Sequence, residues 1–122
     1  MATIKSYTDL EQSKKLAEIL PLESADMKWF FWKEEIDAPK TPTFGYSKTV
    51  AESYKDTEAV YLACWSLSAL LGVLPDYTLQ TNTDGTVFVV CESKKPMISD
   101  AYDNPVDACV AMIEKLHELK ML

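Results

Sequence analysis

The sequence predicts an α+β fold, an antiparallel sheet of three to four strands packed against two to three helices. Three observations carry this expectation. Helix-cap residues open an amphipathic segment near each end of the chain. An aromatic run, MKWFFW at 27–32, favours a pleated surface. An Asp84-Gly85 pair separates two β-rich stretches, as in a hairpin. A chain of 122 residues with 48% hydrophobic and 25% charged residues fits one globular domain, residues 1–122.

The elements follow in order. In YTDLEQSKKLAEILP (7–21), Thr8 and Glu11 have the spacing of a capping box. Leu10, Ser13, Leu16, Ala17 and Leu20 make one helical face, and Pro21 ends it. DMKWFFWKEE (26–35) reads as a strand. Met27, Trp29 and Phe31 point to one side, and Lys28, Phe30 and Trp32 to the other. Both sides are apolar near the middle, as in a strand covered on both faces. Residues 36–48 hold two prolines and a glycine and read as a loop. Residues 49–60 fit either a helix capped by Thr49 and Glu52 or a polar insertion, so 36–60 as a whole is a candidate loop or insertion.

ACWSLSALLGVLPD (63–76) is the most hydrophobic stretch and is expected to be a buried helix ended by Gly72 and Pro75. A two-residue turn at Asp84-Gly85 then sets a register in which Thr83 faces Thr86, Thr81 faces Phe88 and Leu79 faces Val90. Tyr77, Leu79, Phe88 and Val90 would form the core face. Val87, Val89 and Cys91 would share the half-polar face with Thr78, Gln80 and Asn82, open to a neighbouring element or a partner. PMISDAY (96–102) adds a third strand after a turn at SKKP. DNPVDACVAMIEKLHELKML (103–122) is a helix capped by Asn104, with Pro105 at its first position and Asp107 in its first turn. Val106, Cys109, Val110, Ile113 and Leu116 form its buried stripe.

The chemistry expected from composition is sparse. All 12 basic residues are lysine, against 19 acidic ones, for a net charge of -7. Without arginine's planar fork and with a negative surface, no nucleic-acid partner is expected. No run of about 18 apolar residues exists to span a membrane. The opening MATIKSYTDLEQ lacks the apolar segment of a secretory signal, so a cytoplasmic location is expected. Cys64, Cys91 and Cys109 are odd in number and form no C-x-x-C pair, so they read as small buried hydrophobes.

His117 is the single histidine and reads as a half-exposed residue near a helix end. Asp100, Asp103, Asn104 and Asp107 cluster, but a calcium loop counted from Asp100 would put Pro105 where glycine belongs and Ala111 where glutamate belongs. Neither a metal nor a cofactor is expected. The glycines at 45, 72 and 85 are too scattered for a phosphate loop or a nucleophile elbow.

What remains is the aromatics, which serve cores and binding hot spots alike. Trp32, flanked by Lys33, Glu34 and Glu35, is the one expected to reach the surface. Phe30 and Trp32, with Val87 and Val89 on the half-polar hairpin face, are the candidate binding residues, for a protein partner or a second copy of the chain. The leading expectation is therefore a non-enzymatic interaction domain. An acidic accessory or inhibitor protein that blocks a basic site on a nuclease or defence protein is the second. An enzyme with dispersed residues such as Cys91 or His117 is the third.

Three segments, EQSKKLAEILPLESADM (11–27), CWSLSALLGVLPD (64–76) and DNPVDACVAMIEKLHEL (103–119), resemble a group of small uncharacterised proteins of gut anaerobes, often carried near mobile elements or prophages. The resemblance implies a compact α+β domain and carries no catalytic residue onto this chain.

Overall fold

The computed structural model describes residues 5–35, 40–92 and 96–122. Residues 36–39 of the expected loop, and most of the expected SKKP turn, lie outside them. The fold is α+β, with its strands divided between two antiparallel three-stranded sheets.

Helix α1 spans Leu10–Ile19. Its capping box lies one residue later than the Thr8/Glu11 spacing suggested. The Asp9 carboxylate accepts from the Gln12 N–H at 2.8 Å, and the Gln12 side chain accepts from the Asp9 N–H at 3.1 Å. Thr8 is instead wholly buried. Its backbone N–H donates to the Trp65 carbonyl at 2.9 Å, and its Oγ1 accepts from the Trp65 N–H at 3.2 Å. The Thr8 and Ser13 hydroxyls also lie 2.8 Å apart. A hydroxyl engaged by the far side of the fold leaves the cap to the next residue.

Strand β1, Met27–Trp32, lies in the middle of the first sheet, between β2 (Thr43–Phe44) and β3 (Ala59–Cys64). Its register with β3 runs from Met27 opposite Cys64 to Trp32 opposite Ala59. Met27 and Trp29 are buried with Cys64 against Tyr7 and Leu10, and the Trp29 indole donates to Ser13 Oγ at 3.1 Å. The opposite side is not closed, so the expectation of a strand covered on both faces is corrected. Glu34 and Glu35 leave the strand for a 3-10 turn, Lys33–Glu35. Of the two readings of 49–60 the helix is present, as α2 (Lys48–Ser53), but Ser47 caps it, not Thr49. The chain then turns at Asp56, in the left-handed region at φ 65°, and enters β3.

The expected helix over 63–76 is shorter. Ala63 and Cys64 finish β3, and α3 spans Leu67–Val73. The Ser66 side chain caps α3 by accepting from the Ala69 N–H at 3.2 Å. The Asp26 carboxylate in turn accepts from the Ser66 N–H at 2.9 Å and from the Ser66 hydroxyl. The residue before β1 thus fixes where α3 begins.

The second sheet runs β4 (Tyr77–Thr81), β5 (Val87–Cys91), β6 (Met97–Ile98). Its hairpin register is one residue off the two-residue-turn expectation. Thr81 faces Val87, Gln80 faces Phe88 and Leu79 faces Val89. The Gly85 N–H donates to the Asn82 carbonyl at 3.0 Å, and the Asn82 N–H donates to the Thr86 carbonyl at 2.8 Å. The turn is therefore a three-residue loop with Gly85 at φ 89° as its left-handed residue. A one-residue slip exchanges the faces. Leu79 shares the core face with Val89 and Cys91, while Phe88 and Val90 lie on the other side with Thr78 and Gln80.

Helix α4, Pro105–Glu118, follows the expected caps and buried stripe, and also buries Ala108 and Met112. One core cluster gathers Leu16, Trp65, Leu70, Val89, Met97 and the α4 stripe, drawing on both sheets and three helices. The start of α4 is tied to the N-terminal segment. Asp107 accepts from Lys5 Nζ at 2.8 Å, from Gln12 Nε2 at 2.8 Å and from Asn104 Nδ2 at 2.8 Å. Burial would raise the Asp107 pKa, but these donors outweigh it and hold the carboxyl below its ordinary value. Burial likewise opposes the charge on Lys5, and its bonds to Asp107 and Asp9 raise its pKa on balance.

At Gly85 an added Cβ meets no atom within 4 Å, so Gly85→Ala is opposed by the backbone conformation alone. It is expected to lower stability by about 1 kcal/mol, read as a shift in urea midpoint at constant slope. A carboxylate with a depressed pKa stabilises the fold above its unfolded pKa near ~3.9, and that contribution fades as pH falls through the folded value. The stability gap between wild type and Asp107→Asn is thus expected to be widest near neutrality and to shrink below about pH 4. Denaturation curves across pH 2.5–7 check this, and a gap that stays constant would contradict it.

Candidate functional site

The open side of the first sheet is built by alternation along β1 and β3. Phe30 lies opposite Tyr61 and Trp32 opposite Ala59. Phe30 and Trp32 remain 40% and 43% exposed. Three tyrosines extend this face. The Phe30 ring meets Trp32 at 5.9 Å, Tyr54 at 5.0 Å and Tyr61 at 6.1 Å between centroids. Tyr61 stacks on Tyr54 at 5.9 Å and 12°, and meets Tyr46 at 5.5 Å. The result is a continuous sheet of five rings.

The chain around α2 brings Tyr46 and Tyr54 to this face. The Ser47 N–H donates to the Tyr61 hydroxyl at 3.2 Å, which pins the start of α2 to β3. The Lys28 ammonium sits 5.7 Å from the Tyr61 ring centroid, on the same side of β1. Burial, and then the neighbouring Tyr61, Glu52 and Glu23, push the Tyr46 phenol upward, so it stays neutral. Beside the rings is a shallow depression of about 310 Å³, lined by Tyr54, Tyr61, Lys33, Lys55, Glu52 and Asp56 among others. Its two lysines and two carboxylates leave it near charge balance.

The four candidate binding residues therefore separate. Phe30 and Trp32 come together on one exposed surface. Val89 is fully buried in the main core, and Val87 is half-buried, its backbone paired with Tyr102. The reading of Val87 and Val89 as part of an open face is corrected, and the register slip is the physical reason. Tyr46, Tyr54 and Tyr61 belong to the aromatic surface but were not singled out by sequence.

The residues considered for catalysis lie apart. Cys91 is buried under β5 and α4, and burial, with a smaller contribution from Asp76, raises its pKa. Cys109 is pushed up to about 12 by burial and then by the Cys91 thiol. Burial raises Cys64 as well, against opposing bonds from Thr8 and Ser13. Thiols so placed stay protonated and are poor nucleophiles. His117 is exposed at the rim of a shallow polar depression of about 410 Å³ with Glu18, Glu114, Glu118 and Lys15. Among the described residues, no group of three His, Cys, Asp or Glu side chains is arranged to hold a metal. No helix among them is long and apolar enough to cross a membrane.

All three thiols are expected to react with a disulfide reagent at pH 8 at least about 100-fold more slowly than in the urea-unfolded chain, because reaction requires opening of the core. Stopped-flow absorbance gives the rates, and a thiol reacting at the unfolded rate would place it outside the core. Compared with known protein families, curated proteins and solved structures, the chain matches none.

Proposed function

We propose that the chain is a small cytoplasmic protein-interaction domain that docks a protein partner on its aromatic surface. The observation that supports this is the exposure of Phe30 and Trp32 in the middle strand of a sheet, where a covered sheet would bury both. Exposed aromatics that already touch other rings lose little rotamer freedom on binding, and residues of this type dominate interface energetics. Exposed Lys33, Glu34 and Glu35 follow Trp32, and the net charge of the whole chain is -7. The partner of best fit thus presents an apolar or aromatic side chain to the rings, and only its wider surface is basic, to match the net charge of the chain.

The test is Trp32→Glu. It removes the exposed ring without touching the buried side of β1. With circular dichroism and melting unchanged, capture of the native partner is expected to weaken by about 30-fold, the effect of losing a hot spot worth ~2 kcal/mol. Capture by wild type should persist when salt rises to 0.5 M, since contact between rings is not screened. Equal capture by wild type and Trp32→Glu would overturn the proposal. Capture that vanishes with salt would instead favour a purely electrostatic block of a basic partner.

A further inference from the structure

Among the described residues, no strand lies beside the outer edge of the second sheet, β4. In an antiparallel ladder, alternate residues turn both backbone groups toward one neighbour, and the residues between them turn both the other way. The Asn82 N–H donates to Thr86 and the Asp76 carbonyl accepts from Glu92, so even-numbered residues of β4 face β5. Consistently, the odd-numbered β5 residues Val87 and Val89 face the opposite side, bonding Tyr102 and Ser99. Tyr77, Leu79 and Thr81 therefore aim their N–H and C=O groups away from β5. Four of the five β4 residues are exposed, Leu79 being half-buried.

Natural edges are guarded by charge, proline, a bulge or extreme shortness. Within Tyr77–Thr81 there is no charge and no proline, and all five residues pair in unbroken register with β5. The strand is also self-complementary. When two copies run antiparallel with Leu79 opposite Leu79, Tyr77 falls opposite Thr81 and Thr78 opposite Gln80. The flanking Asp76 falls opposite Asn82, so no two carboxylates face one another across the pairing. The outward groups of Tyr77, Leu79 and Thr81 then meet as hydrogen-bonded pairs, three N–H and three C=O from each copy. That alignment holds for any antiparallel two-fold through an outward-facing residue, and what this strand adds is a pairing of five uncharged side chains with no opposed carboxylates at its flanks.

We infer that β4 pairs with β4 of a second copy, about a two-fold axis through Leu79, to give one continuous six-stranded antiparallel sheet. The interaction is separate from the aromatic surface of the first sheet and does not rest on it. The two-fold relation makes the interface isologous, so assembly stops at the dimer.

Native mass spectrometry and sedimentation equilibrium test this across concentration. Wild type is expected to reach twice the monomer mass of 13.8 kDa. Thr81→Pro removes an outward N–H that β5 does not use, and Thr81→Lys places a charge on the edge. Each is expected to weaken dimerisation at least tenfold, while Trp32→Glu leaves it unchanged. Amide exchange in the dimer should slow at Tyr77, Leu79 and Thr81 as concentration rises, whereas Thr78 and Gln80 stay constant. Wild type that is monomeric up to millimolar concentration overturns the inference and leaves the edge to an extended segment of another protein. So does a dimer that both Thr81 variants retain at full strength.

Discussion

Trp65 joins the parts of this fold, and the rest depends on how it is held. It follows Cys64, the last residue of β3, and precedes Ser66, the cap of α3. Extended backbone sends neighbouring side chains to opposite sides, so Cys64 enters the small cluster under β1 while Trp65 fills the main core. Each polar group of Trp65 has a partner. Its N–H and C=O pair with Thr8, and its indole N–H donates to Ser24 Oγ at 2.9 Å. A large ring buried without an orphaned donor can be wholly enclosed at no desolvation penalty. The N-terminal segment and the turn before β1 are thereby drawn to one point.

That arrangement explains which parts of the fold the sequence reveals. Helix α4 is legible because Asn104, Pro105 and Asp107 act locally and the apolar stripe is regular. The aromatic strand is legible for the same reason. Strand β3 is not. Ala59, Ala63, Cys64 and the following Trp65 are all buried, so no alternation appears, and the run merges with the apolar residues of α3. The boundary is set by Asp26, 40 residues away in sequence from the Ser66 it holds. No local pattern contains that bond.

The hairpin shows a subtler limit. A two-residue turn at Asp84-Gly85 and a three-residue loop ending at Gly85 both put the glycine at positive φ, so composition does not choose between them. Packing chooses. The longer loop places Val89 and Cys91, with Leu79 opposite Val89, under α4, where the core has room. The shorter would turn Phe88 and Val90 toward α4 instead. One residue of slip thus separates a correct strand assignment from an incorrect list of surface residues. For the aromatic surface, Trp32 was legible from its charged flank. Tyr46, Tyr54 and Tyr61 come together only through the fold.

The aromatic surface also holds part of the structure in place. Helix α2 has no buried residue, and its six residues are too few to be stable alone. What fixes it to the sheet is the bond from Ser47 to Tyr61 and the contacts of Tyr46 and Tyr54 with Tyr61 and Phe30. Aromatic pairs contribute about 0.5–1.5 kcal/mol each beyond their buried area, so this attachment is modest beside the main core. Local opening of 46–57 is therefore far less costly than global unfolding. A partner seated on Phe30 and Trp32 would press the same rings together and raise the cost of that opening. Binding and the ordering of α2 are then one equilibrium, because both draw on the same five rings.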